Sequence, residues 1–186
     1  MPLWGGGASD FLTTSGDTEK AIAFYKNAAG VSDVEPTVNF QQLPGFATCG
    51  AACAAKMGQS FGADVTEQQL INAGLGYTAS SAGKISEVFN DVTGMKSVGG
   101  SLPQLAIDMS DQELLATVNK YTQSGQTPFM MLYGWGQSGH WVLATGTTDA
   151  GLISIMDPVG ASYNVTTAYL RGAWKTGDVV IGIPGK

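Results

Sequence analysis

The sequence is poor in the side chains that usually carry chemistry. It has one histidine, His140, and two cysteines, Cys49 and Cys53, in 186 residues. Two cysteines exclude a disulfide scaffold. On one helical stretch they would stack on the same face, in a geometry poorly suited to bonding each other. Two thiols and one imidazole are also too few for a tetrahedral zinc site unless carboxylates complete it, so neither a metal nor a cofactor is expected. Charge is scarce as well. Charged residues make up 13% of the chain, nine residues are basic, and the net charge is −6. Without a basic stripe to follow phosphates, nucleic acid and anionic membrane surfaces are poor partners. No apolar run approaches the roughly 20 residues that span a bilayer. The start, Met1 to Gly7, lacks the basic and apolar regions of a secretory signal and reads as a linker or a cloning scar, which leaves the localisation unassigned.

What the chain does have is apolar mass (44%) and 26 glycines, enough for one domain with a sizeable core and many turns: residues 1–35 read as a linker or N-terminal helical extension, and residues 36–186 as the domain. Asp17 opens a helical stretch that should reach about Ala29 and stop at Gly30. Val34 to Phe40 should be extended around Pro36, and Leu43 to Phe46 has turn chemistry. The Ala-rich run from Cys49 to about Phe61 predicts a buried central helix. Thr66 to Gln69 and Ser110 to Glu113 are capping boxes, each opening a helix. Ile85, Val88, Phe89 and Val92 mark an amphipathic helix ending at Gly94. Beyond Gly125 the pattern changes to short apolar runs, Phe129 to Tyr133, Trp141 to Thr145, Leu152 to Met156 and Val179 to Ile183, which read as strands with short antiparallel connections. Helices followed by strands imply a segregated α+β fold.

Three short motifs stand out. In Thr48-Cys49-Gly50-Ala51-Ala52-Cys53, Cys49 falls in the first turn of the predicted central helix. There the unpaired amides carry partial positive charge and favour a thiolate. Gly50 would let a substrate backbone come close, and Cys53, one turn deeper, would be buried. In Ser138-Gly139-His140-Trp141-Val142, the histidine opens a buried strand, a rigid support for a base. In Met156-Asp157-Pro158-Val159-Gly160, the aspartate ends the next strand. If the two strands form a hairpin, Asp157 can accept the second imidazole N–H of His140 and orient the ring. Each motif alone reads more readily as core or turn; their order along the chain is what joins them. An oxyanion requires further donors, each worth about 3–4 kcal/mol. The Cys49 amide and the side chains of Gln41 or Gln42 are candidates. Trp135, Trp141 and Phe129 either line a cleft or fill the core.

Taken together, Gln42, Thr-Cys-Gly-x-x-Cys, Gly-His-Trp-Val and Asp-Pro-x-Gly resemble the bacterial papain-like cysteine proteases, in particular the bacteriocin-processing (double-glycine leader) peptidase type and related effector proteases. The likeness spans about residues 40 to 160. It implies that residues 36–186 are a papain-like peptidase domain, with an N-terminal helical half carrying the nucleophile at the start of its central helix and a C-terminal antiparallel sheet. It also implies Cys49 as nucleophile, His140 as base and acid, Asp157 as the orienting residue and Gln42 as the oxyanion donor. The implied activity is a cysteine endopeptidase acting on a protein or peptide, as a bacterial toxin or effector domain with an immunity protein as partner. The sequence departs from that group twice. The position of its oxyanion glutamine falls on Leu43, one residue after Gln42, and the residue before the cysteine, often acidic there, is Thr48. Deamidation, peptidoglycan amide cleavage or acyl transfer by the same Cys–His pair, and a non-catalytic binding domain of the same fold, remain open alternatives.

Overall fold

Seven strands form one antiparallel sheet, and both of its edges come from the half of the chain that reads as helical. The computed structural model describes residues 17–101, 108–135, 138–174 and 176–183. In chain order the elements are α1 (Thr18–Lys26), β1 (Val31–Pro36), α2 (Cys49–Ser60), α3 (Glu67–Leu70), α4 (Ala82–Thr93), β2 (Lys96–Ser101), α5 (Asp111–Tyr121), β3 (Phe129–Trp135), β4 (Ser138–Thr147), β5 (Ile153–Asp157), β6 (Ala161–Val165), α6 (Thr167–Ala173) and β7 (Asp178–Ile183). The sheet order is β1-β6-β5-β4-β3-β7-β2. β1 pairs with β6 at one edge and β2 with β7 at the other. Among the described residues no helix is long and apolar enough to cross a membrane.

Strand alternation divides the core in two. Phe129, Met131, Tyr133, Val142 and Ala144 face one side and pack with α1, α5 and α6; Met130, Trp141, Leu143 and Val180 face the other and pack with α2 to α4. Full burial of a side chain such as Val142 or Leu143 stabilises by about 1.5–3 kcal/mol. α2 is the buried central helix, with Cys49 through Ala55 all enclosed. The capping boxes at Thr66 and Ser110 both form, and α4 ends at a left-handed Gly94.

The expected α+β architecture is the observed one, with differences in detail. The first helix ends at Lys26, three residues short of Ala29. The extended segment starts earlier, at Val31, and ends at Pro36. β2, β6 and α6 were not legible as elements. β2 contains Gly99, where a Cβ would lie 2.3 Å from the Ala82 carbonyl oxygen; glycine is there so that α4 can approach, and it erases the strand signature. β6 buries Ala161, Tyr163 and Val165 and leaves Ser162 and Asn164 half-buried, an alternation too short and polar to register as an apolar run. The Met1–Gly7 linker lies outside the described residues, as does the side chain of Trp135. Trp141 and Phe129 are core.

Residues 17–35 belong to the same core as the rest. Tyr25 is fully buried under the sheet. Thr18, the first residue of α1, donates its hydroxyl to the Val159 carbonyl at 3.0 Å, so the helix start is tied to the turn after β5. Gly160 in that turn has φ +97, and a Cβ there would sit 2.6 Å from Thr18 Oγ1. Conformation and space both require glycine at this position.

Candidate active site

Hairpin pairing brings two of the sequence candidates together. β4 and β5 are antiparallel, with Leu143 opposite Met156. Continuing that register sets Val142 opposite Asp157, so His140 is the diagonal neighbour of Asp157 on the same face. His140 Nε2 lies 2.6 Å from Asp157 Oδ1, and both side chains are fully buried. The imidazole therefore donates Nε2–H to the carboxylate. That leaves Nδ1, which is buried and makes no other hydrogen bond among the described residues, for the neighbouring Cys49 thiol. Burial by itself would lower the basicity of His140. The Asp157 charge and hydrogen bond, and then Cys49, outweigh it and lift the pKa from 6.5 to about 10.

Cys49 is the first residue of α2. Thr48 is the helix N-cap, but its side chain makes no cap hydrogen bond and the first turn holds no acidic residue. The positive end of the helix thus meets Cys49 with no competing anion in that turn. Thr48 Oγ1 instead accepts the Leu43 N–H at 3.0 Å. Glu67 takes hydrogen bonds from the Thr48 side chain and the Leu43 backbone, while burial raises its pKa. Gly50 serves the packing of the central helix. A Cβ there would lie 3.0 Å from Ile85 and 3.2 Å from Trp141, so glycine allows α2 to press against Trp141, whose indole N–H is held by the Ser80 carbonyl at 3.0 Å. Gly139 similarly yields to Leu132, which a Cβ would meet at 2.7 Å.

The two cysteines differ although they are one turn apart. Cys53 is fully buried, its thiol directed at the Trp141 carbonyl at 3.5 Å. Burial, then the charges of Cys49, Asp157 and Glu67, push its pKa well up. It is a small core side chain, inert as a nucleophile.

Gln42 and Gln41 also part company. Gln42 is buried and its N–H bonds the Pro158 carbonyl at 2.6 Å, beside Asp157, whereas Gln41 is exposed. The turn that follows Gln42, Leu43–Phe46, is closed by Phe46 N–H on the Leu43 carbonyl at 3.3 Å with Gly45 at φ +78.

Two further groups were not found from sequence. The second Asp157 oxygen, Oδ2, accepts the Tyr25 hydroxyl at 2.5 Å and the Tyr163 hydroxyl at 2.8 Å, and Oδ1 also takes the Val159 N–H at 3.1 Å. Tyr25 reads as one apolar position on an amphipathic helix far from the motifs. Tyr163 lies on a strand that had no apolar run. The one available signal is tyrosine at positions otherwise reserved for core. Among the described residues no cluster of His, Cys, Asp and Glu is arranged to hold a metal ion.

No protein-family model and no curated protein matches the sequence. Solved structures do. A double-glycine-motif protease from an AMS/PCAT transporter, solved in complex with the leader peptide, superposes with a TM-score of 0.56 at 19% identity, covering 84% of this chain and 96% of that one. The peptidase domain of Streptococcus ComA, a bifunctional ABC transporter involved in quorum sensing, gives a TM-score of 0.56 at 18% identity, covering 78% and 96%. Over the matched part, therefore, this chain has the papain-like fold of the double-glycine peptidase domains.

Proposed function

We propose that the chain is a cysteine endopeptidase that cleaves a protein or peptide through Cys49, His140 and Asp157. The observation that supports this most is the division of labour on the one histidine of the chain, with Nε2 committed to Asp157 and Nδ1 left to the Cys49 thiol at a helix N-terminus. The Cys49 thiolate attacks the scissile carbonyl carbon and forms a C–S bond. The negative oxygen is held by the Cys49 N–H and the Gln42 side-chain amide. His140 Nδ1–H passes its proton to the leaving amine as the C–N bond breaks. Water then attacks the thioester and gives a proton to Nδ1, the acid departs, and the thiolate–imidazolium pair is restored.

A peptide substrate accords with the leader peptide bound to the AMS/PCAT relative. By the family resemblance, the reading extends to a bacterial effector or toxin neutralised by an immunity protein. Incubation with a proteome, followed by sequencing of new N-termini, tests the reaction. New termini that vanish with Cys49→Ala support peptide cleavage. A mass increase on glutamine without new termini would assign deamidation instead.

A further inference from the structure

Asp157 is held by groups that a Cys–His–Asp constellation does not need, and one of them comes from the far N-terminal end of the chain. Four donors converge on its carboxylate from four places. His140 Nε2 and the Val159 N–H serve Oδ1; Tyr25 from α1 and Tyr163 from β6 serve Oδ2. Tyr163 also lies 3.1 Å from the Tyr133 hydroxyl, and with one proton to give it donates to the carboxylate. The Tyr25 and Tyr163 rings stack with centroids 4.2 Å apart, which fixes both hydroxyls on the same oxygen. The Thr18 contact with Val159 gives α1 a second hold on this turn.

We infer that Tyr25 and Tyr163 are positioning residues of the active site, and that α1 is a working part of it: their hydroxyls hold the Asp157 carboxylate in the rotation that aims Oδ1 at His140. This deepens the peptidase reading and rests on it. Both tyrosines remain proton donors throughout the working pH range, because burial first and the Asp157 charge next push their pKa values well above 10. Without one hydroxyl, the carboxylate is free to turn away from His140, the imidazolium loses part of its support, and the thiolate–imidazolium pair survives over a narrower acid range. The other titratable groups facing it are Tyr133 on β3, Tyr169 on α6, and Cys49 and Cys53 on α2.

The test is the rate of iodoacetamide alkylation of Cys49 from acid to mildly alkaline pH, read by peptide mapping, in the full chain and in Tyr25→Phe, Tyr163→Phe and Tyr121→Phe. Phenylalanine keeps the stacked ring and removes the hydroxyl alone, and either of the first two variants carries the test if the other does not fold. The expected result is an acid limb moved up by about one pH unit in Tyr25→Phe and Tyr163→Phe, unmoved in Tyr121→Phe. A merely structural tyrosine would lower the melting temperature and leave the limb in place. That outcome, with fast acid alkylation of the unsubstituted chain, overturns the inference and leaves the peptidase reading standing. Acid alkylation as slow as that of an ordinary thiol in the unsubstituted chain overturns both.

Discussion

On its Nε2 side His140 faces a carboxylate whose oxygens take four donors within 3.1 Å, from α1, β4, β6 and the turn after β5. On its Nδ1 side it faces one thiol. The first region is built for immobility: every polar atom has a partner and every side chain is buried, so the carboxylate has one orientation to offer. The second must allow change in the proposed reaction, in which a proton leaves and returns there. If His140 is the base and acid of the proposed reaction, the protein fixes one of its nitrogens with a buried carboxylate and leaves the other to Cys49.

The largest effects should come from the reactive side. Cys49→Ala and His140→Ala should each lower peptide hydrolysis by at least about a thousand-fold, measured as release of new termini. Cys49→Ala should cost only about 1 kcal/mol of stability in urea, since it removes one buried sulfur. On the fixed side the pattern reverses. Asp157→Ala strands the His140 N–H and two buried hydroxyls, and should destabilise the fold by about 3–5 kcal/mol while reducing hydrolysis without abolishing it. An Asp157→Ala protein as stable as the parent in urea would mean that the converging donors do not grip.

The fold was legible in the sequence wherever one periodicity dominated. α2, α4, α5 and the apolar runs of β3, β4, β5 and β7 each declare a helical or strand pattern. β2 was hidden because Gly99 and Gly100 leave it little side-chain signal, and β6 because Ser162 and Asn164 interrupt its apolar face. The proposed site residues were legible as candidates because Cys49, His140 and Asp157 carry reactive side chains at the ends of regular elements. The tyrosines that hold Asp157 were not, because Tyr25 is 132 residues away in sequence and nothing local distinguishes a core tyrosine from one whose hydroxyl meets a carboxylate. Only the packing of α1 on the sheet brings it there.

A smaller effect separates the two regions by pH. His140 binds its proton more tightly in the folded chain, with a pKa of about 10 against 6.5. Its contribution to stability is therefore complete below pH 6.5 and lost as the pH rises towards about 10. The urea midpoint should fall across that window in the parent and change less in His140→Gln. The smallest effect belongs to the second cysteine. Cys53→Ala removes one buried sulfur, should cost about 1 kcal/mol, and should leave hydrolysis and Cys49 alkylation unchanged. A loss of activity there would contradict the assignment of Cys53 to the core.

The most direct test uses the fact that the chain has one histidine. Nitrogen-15 NMR of the imidazole, titrated with pH, reads His140 with no overlap and no substrate. The expected result is a ring protonated on both nitrogens through neutral pH, losing its proton near pH 10, with the midpoint displaced when Cys49 is replaced by Ala. A midpoint near the ordinary 6.5, insensitive to Cys49→Ala, would contradict a Cys49–His140–Asp157 site.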